Sequence, residues 1–120
     1  MAGFRPAEHI RRRREFQGVY DKGVKVNGRY ATVFVLPNGR EVSRLGIAAT
    51  RKLGGAVVRN RAKRLIREVF RRNKIAPGFD IVVVPRRALL DAGLAAFEAD
   101  YRTSLERRLR PGRPGAAQGV

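Results

Sequence analysis

Three observations predict an α/β (α+β) two-layer sandwich, a small mixed sheet covered by helices, for this chain of 120 residues. GRYATVFVL (28–36) alternates with period two, and FDIVVVP (79–85) is a continuous apolar run of strand length. Residues 56–73 instead carry apolar side chains at steps of three and four. Segments of both periods, interleaved in a short chain, bury their apolar sides by packing helices on one sheet. The length suits one domain over residues 1–110, and the Pro- and Gly-rich tail 111–120, with no apolar period, reads as disordered.

The elements follow in order. After the basic approach AEHIRRRREF, Phe16, Val19 and Tyr20 form one helical stripe that Gly23 ends. In the strand 28–36, Tyr30, Thr32, Phe34 and Leu36 point one way and Ala31, Val33 and Val35 the other. Pro37-Asn38-Gly39 breaks the run, and EVSRLGIAAT (41–50) follows as a second strand with Leu45, Ile47 and Ala49 on one face. That spacing predicts an antiparallel hairpin between the two. Leu53-Gly54-Gly55 is an elbow opening the helix 56–73, which Asn73 and Pro77-Gly78 stop. FDIVVVP reads as a strand buried on both faces. A last helix, from about Leu94 to Leu109, carries Leu94, Phe97, Tyr101 and Leu105 at helical spacing.

Charge narrows the function. Twenty-seven Lys and Arg stand against ten Asp and Glu, a net charge of +17, with a pI near 11.8. A compact domain carries such self-repulsion most easily opposite a polyanion, and the excess of Arg over Lys suits phosphate. No basic helix here has the aromatic apolar side of a membrane anchor, so a membrane partner is not expected. No apolar run reaches transmembrane length, and the basic N-terminus lacks the apolar segment of a secretory signal. With no cysteine, disulfides and thiolate metal sites are excluded. A cytoplasmic protein is expected.

The helix 56–73 is where charge and fold meet. Val58, Ala62, Leu65, Ile66 and Val69 gather in one arc of its wheel, with Phe70 at the edge. Asn60, Lys63, Arg64, Arg67 and Arg71 fill the opposite arc, with Arg59 and Arg61 on the flanks. A face that only keeps a helix solvated mixes signs, because like charges four residues apart repel. This face has one acid, Glu68, expected to pair toward Arg72, so the stripe reads as a phosphate-binding surface. The helix N-terminus after Gly54-Gly55 adds free amides of the same preference.

GGAVVRNRAKRLIR (54–67) resembles the signature of the bacterial ribonuclease P protein subunit. The likeness extends to the Phe16…Tyr20 helix, the GRY strand, SRLGIAATRKLG (43–54) and FDIVVVPR (79–86), covering roughly residues 8–110. Arg-Asn-Arg alone means little; in this combination it is specific. The resemblance implies the small partner of a catalytic RNA that removes 5′ leaders from precursor tRNA, with Mg2+ held mainly by the RNA. It implies that Arg59, Asn60, Arg61, Lys63, Arg64, Arg67 and Arg71 face the catalytic RNA. It also implies a cleft, floored by the sheet and walled by the first helix, that takes the leader. Phe16, Tyr20, Tyr30 and Phe34 match that cleft, and a left-handed crossover carrying the basic helix comes with the fold. Catalytic RNA and precursor tRNA are then the partners, with no obligate protein partner.

Read alone, aromatics one helical turn apart are more often plain core, and it is the resemblance that turns them toward a leader site. Single strands are held by stacking bases on aromatic rings in a basic groove, at about 1–3 kcal/mol per base. Three helices in so short a chain cannot cover both sheet faces completely, so an open aromatic face is expected. Cleavage by the protein itself is not expected. Two-metal hydrolysis needs clustered carboxylates, and the ten acids are scattered; a metal-free nuclease commonly uses two histidines, and His9 stands alone. The alternative from another class is a structural RNA binder of the ribosomal type, which has no need of an aromatic cleft beside its basic helix.

Overall fold

The computed structural model describes residues 8–73 and 78–109. The tail 111–120, and Pro77 of the predicted helix stop, lie outside them. The chain runs α1 (Arg13–Lys22), β1 (Val24–Asn27), β2 (Ala31–Pro37), β3 (Arg44–Ile47), α2 (Ala56–Arg72), β4 (Phe79–Pro85) and α3 (Arg87–Leu109). The four strands form one mixed sheet in the order β1-β2-β4-β3. β2 is antiparallel to both of its neighbours. β3 runs parallel to β4, so β3, α2 and β4 make a β-α-β unit between adjacent strands.

The predicted hairpin between residues 28–36 and 41–50 does not form, because β4 lies between β2 and β3. β4 is the strand that takes burial on both faces: Ile81 and Val83 enter one apolar cluster and Val82 the other. Such a strand gains most in the sheet interior, and its insertion leaves β3 toward the edge. The true hairpin joins β2 to β1, with Val24 opposite Val35 and Asn27 opposite Thr32. β1 escapes sequence detection because it is four residues long, mostly exposed and half polar.

One sheet face carries the main core. Ala31, Val33, Val35, Leu45, Ile81 and Val83 meet Ala62, Ile66, Val69 and Phe70 of α2 and Leu89, Phe97, Tyr101 and Leu105 of α3. The apolar arc read on the helix wheel is therefore the arc that packs, with Val58 and Leu65 half-buried at its margin. Each large side chain so buried contributes roughly 1.5–3 kcal/mol. Gly54, at φ 150°, supplies the elbow into α2. α3 begins about two turns before the predicted Leu94, then breaks at Gly93, whose φ of 84° no helical residue adopts. On the other face α1 lies across part of the sheet, with Val19 and Val82 buried between them.

Candidate nucleic-acid interface

Two surfaces contain the predicted residues. The first is the outer side of α2. Asn60, Arg61, Arg64 and Arg67 are exposed, and Lys63 is half-exposed. None of Arg61, Lys63, Arg64 and Arg67 takes part in an ion pair with an acid among the described residues. Asn60, Arg64, Arg67, Glu68 and Arg71 line a shallow groove of about 340 Å³. Glu68 pairs with Arg71, three residues on, rather than with Arg72. Arg72 is drawn instead to Glu98 of α3, at 3.5 Å. The groove therefore offers three cationic side chains, one of them held in place by its only acid. Arg59 turns back, and its Nη1 donates to the Gly54 carbonyl at 3.0 Å, bracing the elbow.

The second surface is the sheet face under α1. Phe16, Tyr20 and Phe34 meet there, all half-buried, with Leu36, Ala48 and Val84 beside them. The Tyr20 and Phe34 rings pack edge to face, with centroids 5.0 Å apart and planes at 73°. Partial burial pushes the Tyr20 hydroxyl above its ordinary value. Phe16 lies over Gly46 of β3: a Cβ built there would stand 2.7 Å from the ring. Tyr30 is not brought to this face. It precedes β2, where the Asp100 carboxylate of α3 accepts from the Arg29 and Tyr30 amides at 2.9 and 3.4 Å. Those bonds hold the turn toward α3, and the Tyr30 ring packs against the main core instead. The strand alternation that grouped Tyr30 with Phe34 starts one residue later.

The two surfaces approach each other around the β3 edge. His9 bridges Leu45 in parallel fashion, and the Ile10 amide donates to the Leu45 carbonyl at 2.9 Å. Ile10 is buried in the cluster under α1. Partial burial, then the charges of Arg11 and Arg67, hold the His9 imidazole below its ordinary value. One short stretch thus feels the basic helix at His9 and touches the aromatic face at Ile10.

Sequence reasoning missed a buried polar network beneath α1. Arg44 donates twice to Asp80, Nε to Oδ1 at 2.8 Å and Nη2 to Oδ2 at 2.6 Å, and its Nη1 donates to Glu15 Oε2 at 3.0 Å. Asn38 Nδ2 donates to Asp80 Oδ1 at 2.8 Å. The only signal in the sequence was an arginine at alternate spacing with Gly46 and Ala48, in a strand too short to read confidently as two-faced. Among the described residues no group of three or more His, Asp or Glu side chains is placed to hold a metal ion. No helix among them is long and apolar enough to cross a membrane.

A basic, one-signed helix and a half-open aromatic sheet face are one matching pattern, and the family comparison decides what it belongs to. The Ribonuclease P family model matches residues 4–109. The chain belongs to the ribonuclease P protein family. The ribonuclease P protein component of Thermotoga maritima is 47% identical over 88 residues, 72% of this chain and 75% of that protein. That of Clostridioides difficile is 33% identical over 107 residues, covering 87% and 94%. Solved structures agree in fold. The ribonuclease P protein of T. maritima superposes with a TM-score of 0.75 at 40% identity, over 83% of this chain and 96% of that one. The Staphylococcus aureus protein gives 0.75 at 33% identity, over 83% and 94%. The expected family and α+β fold therefore hold.

Proposed function

We propose that this protein is the accessory subunit of a ribonucleoprotein that matures the 5′ end of tRNA, binding a catalytic RNA with α2 and the precursor's 5′ leader with the aromatic sheet face. The observation that carries the reading is the pairing of two unlike surfaces around one sheet edge. The α2 stripe is cationic and exposed, suited to phosphates whatever the sequence. The face with Phe16, Tyr20 and Phe34 is aromatic and half-open, suited to the bases of a single strand. Asn60, Arg61, Lys63, Arg64 and Arg67 take the phosphate role, with Arg71 held beside them by Glu68 and Arg59 bracing the helix start. Tyr30 is left out of the leader site.

The chemistry belongs to the RNA in this reading. Several carboxylates are taken up by ion pairs and turn contacts, and among the described residues no group of three or more His, Asp or Glu side chains is placed to hold a metal ion. Mg2+ bound by the RNA would supply the Lewis acid and the activated water. The protein's share is electrostatic and positional, and the cytoplasm is the compartment where it would act.

The deciding experiment is precursor tRNA cleavage at near-physiological Mg2+ with the source organism's candidate catalytic RNA alone, the protein alone, and both together. Cleavage at the mature 5′ end only in the combined reaction is expected. Cleavage by protein alone would overturn the division of labour, and tight RNA binding without any gain in cleavage would favour a ribosomal-type binder. Replacing Arg64 and Arg67 with Ala should weaken binding to the catalytic RNA and flatten its salt dependence by about two units of slope. Phe16→Ala with Phe34→Ala should weaken precursor binding and leave mature tRNA affinity nearly unchanged; equal losses for both would remove the leader assignment.

A further inference from the structure

We infer that Arg44 is a positioning residue for the leader cleft, acting through Glu15 to fix the seat of α1 on the sheet; this rests on the proposed leader site. The inference starts from what Arg44 does beyond its own strand. β3 and β4 are already joined by a parallel backbone ladder in which Arg44 stands opposite Asp80. Two donors of the guanidinium bind Asp80, and the remaining Nη1 reaches α1. Arg44 is 9% exposed and Asp80 6%. Buried ion pairs return little net stability over apolar packing of the same volume, so their use points to geometry. A planar fork with three directed bonds holds an angle that a lysine cannot.

Glu15 is the element that transmits the angle. Its Oε2 takes the Arg44 bond, while Oε1 accepts from the Arg12 and Arg11 amides at 3.3 and 3.4 Å, at the start of α1. The carboxylate therefore ties the first turn of the helix to the sheet. The next residue is Phe16, whose ring lies on Gly46, two positions along β3 from Arg44 and on the same strand face. One turn further on, Tyr20 meets Phe34. Val19 is the one fully buried residue of the helix, with Phe16 and Tyr20 half-buried beside it, so apolar contact alone holds its rotation on the sheet only loosely. The Glu15–Arg44 bond removes that rotation and so sets the opening between the aromatic side chains of α1 and the β2 and β4 floor.

The test compares reconstituted holoenzymes carrying Arg44→Lys, Glu15→Gln, Phe34→Ala or Phe97→Leu, the last a destabilising change in the opposite core. The readout is the ratio of affinities for precursor and mature tRNA, at a temperature where each variant is folded by circular dichroism. Arg44→Lys and Glu15→Gln should each lower the ratio on the order of fivefold, part of what a stacked base contributes, with Phe97→Leu near wild type. If Phe34→Ala lowers the ratio and neither Arg44→Lys nor Glu15→Gln does, the network is structural only and the inference falls. An equal drop in Phe97→Leu would also overturn it, since general destabilisation would then explain the effect. If Phe34→Ala too leaves the ratio unchanged, it is the leader site itself that fails. Should Arg44→Lys not fold, Glu15→Gln decides alone, because Glu15 sits at the half-exposed end of the network.

Discussion

The two faces of the sheet are built from the same strands yet finished differently. Among the described residues, fifteen buried side chains close the face under α2 and α3, against three under α1. Along β2, Ala31, Val33 and Val35 are buried on the first face, while Thr32, Phe34 and Leu36 on the second are only half so. The second face is no less apolar in composition; it has one ten-residue helix over it instead of two longer ones. An apolar surface left half in water costs stability that burial would return. A half-open surface with aromatic rings on it is what the proposed leader site would use. One face supports the fold, and the other is available to a ligand.

Substitutions on the two faces should separate along that line. The largest effect expected is Ile66→Ala, which empties a fully buried site between α2 and the sheet. It should cost about 2–5 kcal/mol of unfolding free energy, measured by urea titration. Phe34→Ala, on the other face, should cost clearly less stability because its ring is already half in solvent and is held mainly by Tyr20. A loss at Phe34 as large as that at Ile66 would mean that the second face is core as well, and the contrast would disappear.

Gly46→Ala tests the seam between the α1 helix and its floor. The new methyl would lie 2.7 Å from the Phe16 ring and 3.1 Å from Ile10 Cβ. Either the ring lifts or α1 moves, and overpacking of this kind costs about 1–3 kcal/mol. A lower denaturant midpoint together with a changed preference for leader-bearing tRNA is expected. A full-stability Gly46→Ala protein would show that α1 rides loosely on β3.

Much of this was legible in the sequence, for reasons that particular elements make plain. The α2 helix has 17 residues of one period and two sharply different arcs, so both its core side and its cationic side could be read. β4 was recognisable as doubly buried because five of its seven residues are apolar without alternation. Strand pairing was not legible. Nothing local in residues 41–50 says that β4, more than thirty residues later, will take the place beside β2. Tyr30 was misplaced because an alternation has no mark for where the strand begins, and that point is set by Asp100 seventy residues away. The Glu15–Arg44–Asp80 network hid for the same reason: its members are 29 and 36 residues apart. Type and spacing alone would have put Phe16 and Tyr20 in a closed core, and their half-open state depends on how much of the sheet α1 covers.

The smallest expected effect is electrostatic, and it sets a carboxylate under α1 against one outside the sheet altogether. The Arg44 hydrogen bond holds the Glu15 carboxyl below its ordinary value of 4.5, and the Arg12 and Arg11 amides add to this against the cost of burial. Arg71 depresses Glu68 in the same direction. A carboxyl whose folded value is depressed contributes stability that is fully present above its unfolded value and is lost as pH falls through the folded one. Wild type should therefore be flat in this respect from neutral pH down to about 5 and lose the Glu15 contribution below that. Glu15→Gln should lower stability at neutral pH by about 1 kcal/mol or less and make the acid limb shallower. Glu68→Gln should change neither measurably at moderate salt, since its pair stands in solvent where ions screen it. Chemical denaturation repeated from pH 7 to pH 3 at two salt concentrations separates the two. A larger acid-limb change for Glu68→Gln than for Glu15→Gln would place the tighter ionic constraint on α2 and not beneath α1.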